Sequence, residues 1–342
     1  MKSSAIAMFL GILICGTAAA DPAASVPEST AQDTSAFFKE PAWLGQKYFG
    51  ANEFAKLDAL VADLTKSGTR TDDGRFALYL LTLKLDEWLK LWTAEDDKSM
   101  NDKLEAWKQE FPDSALQPIV AAMHMQATAW RVRGLGYAST VTEEGWRLFR
   151  ERNNRAWNIL IDHKKESAAI PTWYELAISI GIDANIPDDT LRKLFDEGIH
   201  RHPGYHPIYF TFARQFAPRW GGNYADADEF ILQQTAAKTN PEGEILYARL
   251  YWLIDQYENG SPGFFEDSLV SWPRMRKGFE RMMAAYPKSA WNQANFAMFA
   301  CRARDATTYG LLRPKINAGQ FEAAAPDGIS LEVCDARFMK TT

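Results

Sequence analysis

Three histidines stand close together in H-R-H-P-G-Y-H-P, which spans residues 200–207. Imidazoles at this spacing are able to ligate zinc or copper. The segment lies where two predicted helices meet, two similar segments of the chain lack histidine there, and its prolines restrict how the rings converge. We therefore predict a solvated turn and no metal site. The alternative is a metal site with His200, His202 and His206 as its candidate ligands.

A second set of residues places arginine beside aromatic side chains. It comes from W-R-V-R at 130–133, R-W-G-G at 219–222 and R-L-Y-W at 249–252. A guanidinium next to an aromatic face suits an anionic or a sugar-like ligand. The candidate ligand-binding residues are Trp130, Arg133, Arg219, Trp220, Gly221, Gly222, Arg249, Tyr251 and Trp252.

The same residues also have a structural interpretation. Pro218 ends or kinks the preceding helix, and the two glycines after Trp220 supply a positive φ or a close backbone approach. Trp220 then packs against the next helix, which predicts that Trp220→Ala lowers stability by roughly 3–5 kcal/mol. Arg249 needs a carboxylate or carbonyl partner, because an unpaired buried charge is costly. We favour the structural role for Trp220 and keep ligand binding as the alternative.

Catalytic signatures do not occur in the sequence. It contains no G-x-S-x-G, no H-E-x-x-H, no G-x-x-x-x-G-K and no C-x-x-C. With five histidines and three cysteines, few nucleophile–base combinations are possible. Carboxylate pairs occur in any chain with 44 acidic residues, so such pairs do not identify a catalytic site. We therefore predict no catalytic residue and no cofactor.

The first twenty residues have the features of a secretory signal peptide: one lysine, an apolar run that ends at Cys15, and A-A-A before Asp21. The apolar run is shorter than the roughly 20 residues of a membrane-spanning helix. Acylation at Cys15 is the alternative, which bulky Ile14 disfavours. We expect a periplasmic or secreted protein that does not span the membrane. The net charge of −6, spread along the chain, argues against nucleic acid as a partner.

Three segments follow from this composition. Residues 1–20 are the predicted signal peptide, and residues 21–36, poor in large apolar side chains, predict a flexible tether. Residues 37–342 contain no linker-like stretch and are predicted to form a single helical-repeat domain.

Helical periodicity dominates that domain. Trp173, Leu176, Ala177 and Ile180, for example, share one helical face. An amphipathic helix followed by a proline and a second helix recurs, with prolines at 112, 171, 203, 241 and 287. This pattern predicts an all-α fold, a right-handed α-solenoid of degenerate tetratricopeptide-like helical pairs with a concave binding face. The alternative is an irregular helical bundle.

Four motifs carry a resemblance to a known family. They are A-W-R-V-R-G-L-G-Y-A (129–138), P-R-W-G-G (218–222), E-G-E-I-L-Y-A-R-L-Y-W (242–252), and W-P-R-M-R-K-G-F (272–279) with Y-P-K-S-A-W-N-Q-A-N-F-A-M-F-A-C (286–301). Together they resemble an uncharacterised bacterial domain-of-unknown-function family with tetratricopeptide-like helical character, over about 49–312. The resemblance implies an all-helical exported protein, and it implies no reaction, ligand or site residue.

The leading functional hypothesis is an exported scaffold or binding protein that holds a protein or peptide segment, or another envelope component, in a groove lined by Trp, Tyr and Arg. The alternative is a hydrolase or lyase acting on envelope glycan or peptide with carboxylates in that groove. A purely structural or immunity-type partner is a third possibility. Cys301 and Cys334 remain after removal of the signal peptide, and an oxidising compartment favours a disulfide between them.

Overall fold

The computed structural model describes residues 36–91, 93–134, 136–237, 240–261, 263–325 and 329–338. The predicted signal peptide, Cys15 and all but the last residue of the predicted tether lie outside these ranges. The α-helices are α1 (Ala36–Gly50), α2 (Phe54–Ser67), α3 (Ala77–Leu91), α4 (Asp97–Glu110), α5 (Gln117–Arg133), α6 (Glu143–Asp162), α7 (Lys164–Ser167), α8 (Thr172–Asp183), α9 (Asp188–Arg201), α10 (His206–Ala213), α11 (Tyr224–Ala236), α12 (Glu244–Tyr257), α13 (Phe264–Asp267), α14 (Trp272–Ala285), α15 (Ala290–Arg302), α16 (Ala306–Leu312), α17 (Ala318–Ala324) and α18 (Leu331–Phe338).

Five short 3-10 helices complete the described secondary structure, at Ala94–Asp96, Ala138–Thr140, Arg214–Phe216, Pro218–Trp220 and Arg313–Lys315. Within the described ranges the chain forms no strand beyond an isolated bridge between Arg70 and Phe76. The predicted all-α fold is confirmed. No described helix combines the length and the apolar character needed to cross a membrane.

Helices that follow one another pack as pairs: α2 with α3, α4 with α5, α6 with α8 across the short α7, α9 with α10, α11 with α12, and α14 with α15. The first helix of a pair buries one face, as α9 does through Leu191, Leu194 and Phe195. The second helix is buried almost all round, as in α8. The second helices α3, α5, α8, α10 and α12 also pack in succession, so the interior is built from their mainly apolar side chains.

The loop between α2 and α3 reaches helices that come much later in the chain. The carbonyl of Asp73 accepts hydrogen bonds from Arg249 Nη2 at 3.1 Å and from Asn292 Nδ2 at 3.2 Å. Gly74 has a φ of +83°, and a Cβ there would meet Tyr286 and Arg249 at about 2.5 Å. A solenoid is held mainly by contacts between neighbouring pairs, so the repeat pattern does not predict this contact.

The C-terminal segment is held to α15 by a disulfide between Cys301 and Cys334, whose Cα atoms lie 5.8 Å apart. Both cysteines are buried. Asp335 of α18 accepts hydrogen bonds from Tyr309 and Arg313, each at 2.7 Å. The predicted disulfide is confirmed.

Candidate functional site

Two adjoining cavities lie between the second helices of the pairs, and we treat them as the two lobes of one site. The polar lobe has a volume of about 230 Å³ and is lined in part by Thr82, Asp86, Glu87, Lys90, Gln126, Ser179, Arg214 and Trp220. The aromatic lobe has a volume of about 200 Å³ and is lined in part by Arg75, Phe76, Phe210, Arg249, Trp252 and Trp291. Five residues line both lobes: Tyr79, Leu83, Glu175, Thr211 and Tyr257.

Glu175 occupies the junction between the lobes. It lies in the first turn of α8, among residues such as Trp173, Tyr174 and Ala177 that are fully buried. Its Oε2 atom is buried and has no hydrogen-bond partner among the described residues. Burial, together with the nearby carboxylate of Asp86, raises the pKa of Glu175 to about 8. The carboxyl is therefore mostly protonated at neutral pH.

Two tyrosines accompany this carboxyl. Tyr79 of α3 and Tyr257 of α12 line both lobes with Glu175. Burial, and to a lesser extent the charge of Glu175, raises the pKa of Tyr79 above its ordinary value. Burial likewise raises the pKa of Tyr257 to about 12. Both phenols are consequently neutral over the physiological range.

The other charged groups of the polar lobe have partners of opposite charge. Lys90 Nζ lies 2.5 Å from Asp86 Oδ2, and Lys84 Nζ lies 2.5 Å from Glu87 Oε2. Arg214 donates to Asp183 at 3.2 Å. No ion pair within the described ranges joins Glu175 to a basic side chain. Glu175 is thus the uncompensated ionisable group of this lobe.

The aromatic lobe is walled mainly by rings. Those of Trp252 and Trp291 lie 6.1 Å apart, and Trp291 is 38% exposed, so it forms the outer rim. Arg249 also lines the lobe; its Nη2 donates to the Asp73 carbonyl, and its Nε is buried without a hydrogen-bond partner among the described residues. Arg249 thus has the carbonyl partner that its position in an apolar helix requires.

An ion-pair network lies beside the aromatic lobe and holds its surrounding segments together. Arg70 Nη1 lies 2.8 Å from Glu242 Oε1, and Glu242 also contacts the ring of His206. Burial lowers the pKa of His206 to about 4. Burial alone would raise the pKa of Glu242, but His206, Arg249 and Arg70 outweigh it and lower the pKa to about 2. The network joins the loop before α3 to the start of α10 and the segment before α12.

Trp220 lies in the wall of the polar lobe. It is partly buried, its ring lies edge to face with Tyr257, and the guanidinium of Arg214 lies 5.4 Å from its ring centroid. Its Nε1 is buried and has no hydrogen-bond partner among the described residues. The residue therefore packs against its neighbours and also faces the cavity, so the two interpretations made from sequence are not exclusive.

The other residues of this turn, Arg219, Gly221 and Gly222, shape the backbone and do not line either lobe. Gly221 has a φ of +95° and ends the Pro218–Trp220 helix. A Cβ on Gly222 would meet the carbonyl of Phe216 at 2.3 Å, so only glycine fits there. The backbone N–H of Arg219 donates to Glu258 at 2.9 Å, and Arg219 is not among the residues that line either lobe.

Three other predicted binding residues lie away from both lobes. Trp130 Nε1 donates to Asp183 at 2.9 Å, and Arg133 stacks on the rings of Trp130 and Trp146. The hydroxyl of Tyr251 donates to Asp228. The structure therefore brings together Trp220, Arg249 and Trp252 of the predicted set around the cavity and places Trp130, Arg133 and Tyr251 elsewhere.

The three clustered histidines do not converge. His200 is exposed in the last turn of α9, and His202 Nε2 contacts the carbonyl of Ala168 at 3.1 Å. His206 is buried beside Glu242. Within the described ranges no group of three His, Cys, Asp or Glu side chains is arranged to hold a metal ion.

Sequence reasoning missed Glu175, Tyr79 and Tyr257. A signal for Glu175 is present in T-W-Y-E-L-A-I-S-I-G-I, where one acid interrupts an otherwise uncharged and mainly apolar helix. Buried acids without partners are costly and cluster at functional sites. The two tyrosines had no such signal. Tyr79 lies in a leucine-rich helix that offers an apolar core position for it, and Tyr257 is one of several aromatic residues in α12.

Comparison with protein families identifies one relationship. The family model of a domain of unknown function (DUF4034) matches residues 45–157, from the second half of α1 through most of α6. This confirms the resemblance to an uncharacterised helical domain family. The motif at 129–138 lies within the matched residues, whereas the other three motifs lie C-terminal to them. Comparisons with curated proteins and with solved structures gave no match.

Proposed function

We propose that this protein is an exported binding protein that holds a peptide segment in the two-lobed cavity. The observation that carries the proposal is the cavity itself, which is lined by the second helices α3, α5, α8, α10, α12 and α15. Its walls contain aromatic rings, one uncompensated carboxyl and one partly satisfied guanidinium. Largely apolar pockets with a few convergent polar groups are typical ligand sites. The Trp, Tyr and Arg residues expected in a groove contribute Trp220, Arg249 and Trp252 to it.

The helical pairs would form a right-handed, tetratricopeptide-like solenoid whose inner side carries the cavity. Successive packing of α3, α5, α8, α10 and α12 supports this arrangement. The signal-peptide features of residues 1–20 support a periplasmic or secreted location, and the Cys301–Cys334 disulfide is compatible with an oxidising compartment.

Selection from a random peptide library tests the proposal. Wild-type protein should enrich peptides that no longer bind Thr211→Trp, because Thr211 lines both lobes and the larger ring fills their junction. Gln233→Trp, at an exposed position of α11, is the matched control and should retain binding. Failure to enrich any peptide, or equal binding by Thr211→Trp, would contradict peptide binding in the cavity.

One observation favours a second candidate, a hydrolase or lyase acting on envelope glycan or peptide. A carboxyl that stays protonated at neutral pH, as Glu175 does, is suited to act as a general acid. Incubation with envelope glycan and peptide libraries distinguishes the candidates: product formation that Glu175→Gln abolishes supports the enzyme, whereas saturable binding without turnover supports the binding protein.

A further inference from the structure

The charges around the cavity are unequally compensated. In the polar lobe Asp86 and Glu87 each have a basic partner and Arg214 has an acidic one, whereas Glu175 has no partner among the described residues. A ligand that carried a positive charge to Glu175 would give this carboxyl the basic partner that the other acids of the lobe already have. A ligand that supplied a negative charge would place it beside a carboxyl, in a lobe whose cations Lys90 and Arg214 are already paired.

The rings at the junction suit a cation as well. Tyr79, Tyr257 and Trp220 all line the polar lobe with Glu175. Aromatic faces attract ammonium and guanidinium groups, most strongly where water is excluded. A cation bound here would lie against aromatic walls and a carboxylate, which is a common arrangement for alkylammonium recognition.

The aromatic lobe fits an apolar ligand group better than a cation. Phe76, Phe210, Trp252, Leu253 and Trp291 give it a mainly apolar wall. A large aliphatic or aromatic side chain fits such a wall, because the gain comes from removing apolar surface from water. The two lobes meet at Glu175, so the cationic and apolar groups must be close neighbours on one ligand.

We propose that the cavity recognises a peptide segment in which a lysine or arginine side chain enters the polar lobe against Glu175 and an adjacent large apolar side chain enters the aromatic lobe. This inference rests on the proposed function and specifies its ligand. Binding exchanges the proton of Glu175 for the cationic side chain, so one proton is released to solvent. The O–H bond of the Glu175 carboxyl breaks as its proton passes to water or buffer, and no other covalent bond changes.

The pH dependence follows from the groups that face Glu175. In and around the polar lobe they are Tyr79, Asp86, Glu87 and Lys90 of α3, Tyr205 before α10, Arg214 after α10, and Tyr257 of α12. The aromatic lobe adds Asp73, Arg75, His206 and Arg249. Burial raises the pKa of each of the three tyrosines, so their phenols stay neutral between pH 6 and 9. The protonation of Glu175 therefore controls the affinity in this range, since its carboxyl has a pKa of about 8 in the free protein.

The test is calorimetric titration of the full exported chain with the capped dipeptides acetyl-Lys-Phe-amide and acetyl-Phe-Lys-amide. At least one should bind about a hundredfold more tightly at pH 9 than at pH 6, because protons compete with the ligand for Glu175 below its pKa. Replacing lysine by uncharged norleucine should weaken binding at pH 9 by about tenfold or more.

Two protein variants complete the test. Glu175→Gln should bind the lysine peptides weakly and with no dependence on pH between 6 and 9. Glu87→Gln is the matched control: Glu87 lines the same lobe but already pairs with Lys84, so the pH dependence should survive. Unchanged far-ultraviolet spectra and cooperative melting of both variants show that folding is intact.

Specific outcomes overturn the inference. Equal binding of the norleucine and lysine peptides, or affinity independent of pH, would leave peptide binding in place and exclude recognition of a cation. Binding of butylamine as tight as that of the dipeptides would assign the site to a free amine instead of a peptide. Absence of binding by every peptide, together with an unsuccessful library selection, would contradict the proposed function itself.

Discussion

Trp220 and Tyr257 meet edge to face, with ring centroids 6.3 Å apart. Trp220 comes from the short helix that follows α10, and Tyr257 is the last residue of α12. Both rings line the polar lobe, so the turn at 218–222 forms a wall of the cavity. A segment with the composition of a simple turn thus contributes directly to the candidate site.

Trp220→Ala should separate packing from binding. The side chain is only partly buried, so the loss of unfolding free energy should stay below roughly 3 kcal/mol, less than for a fully buried tryptophan. Peptide affinity should fall at the same time, because the lobe loses a wall. Chemical denaturation and titration measure the two effects. Trp43→Ala, at a position that is 56% exposed, is the control and should change neither. Full stability loss with unchanged affinity would assign Trp220 to packing alone.

Glu175→Gln should stabilise the unliganded protein at pH 8 and leave it unchanged at pH 4.5. The folded chain holds the Glu175 proton more tightly than the unfolded chain, so wild-type stability declines as pH rises from about 4.5 to about 8. A pKa difference of this size corresponds to on the order of 3 kcal/mol at pH 8 after allowance for partial exposure. Melting temperatures of both proteins across this range measure the effect. Parallel curves would show that Glu175 is not buried in the neutral form.

Glu242→Gln should destabilise the protein at neutral pH by roughly 3–5 kcal/mol, because Arg70 and Arg249 lose a largely buried counter-charge. The folded-state pKa lies below the unfolded value, so this contribution is present above about pH 4.5 and is lost as pH falls towards about 2. Denaturation at pH 7 and pH 2.5 should show the difference shrinking.

The control for this network is Glu244→Gln. Glu244 pairs with Arg274 in a more exposed position, so its loss should cost less than about 1 kcal/mol. Equal effects of the two substitutions at pH 7 would show that the Glu242 network does not hold the loop before α3 in place.

Removal of the Cys301–Cys334 disulfide should lower stability by roughly 3–4 kcal/mol, the chain-entropy value for a loop of this length. Hydrogen exchange should rise first in α18, whose other anchors include the hydrogen bonds to Asp335 and the one from Arg337 to the Cys301 carbonyl. Alkylation of the denatured protein without reductant should add no alkyl group to Cys301 or Cys334. Addition of two groups would contradict the bond.

Parts of this structure follow directly from local sequence patterns. The helical periodicity predicted the all-α fold, because apolar spacing alone specifies amphipathic helices. The even number of cysteines outside the predicted signal peptide predicted the disulfide. Gly222 was predicted to allow close backbone approach, and the Phe216 carbonyl fills the space a Cβ would need.

The cavity was harder to predict, since it depends on contacts between residues far apart in the chain. Arg249 was expected to find a carbonyl or carboxylate, but nothing local indicates the Asp73 carbonyl, 176 residues earlier. Trp130 and Arg133 share the Trp–Arg composition of the cavity wall, yet Arg133 stacks on Trp130 and Trp146, away from both lobes. Composition identifies residues able to bind a ligand, whereas the packing of α10 and α12 with the earlier second helices decides which of them meet.

Site-specific photo-crosslinking tests the central claim, that the cavity holds a peptide segment, most directly. A photoreactive amino acid replaces Thr211, where both lobes meet, in the full chain expressed in cells that export it, with Gln233 substituted in a parallel control. We expect an adduct at position 211, but not at 233, in which mass spectrometry finds the crosslink on a basic residue or its apolar neighbour in a peptide segment. Crosslinks at position 211 to glycan alone, or no adduct above that at position 233, would contradict it.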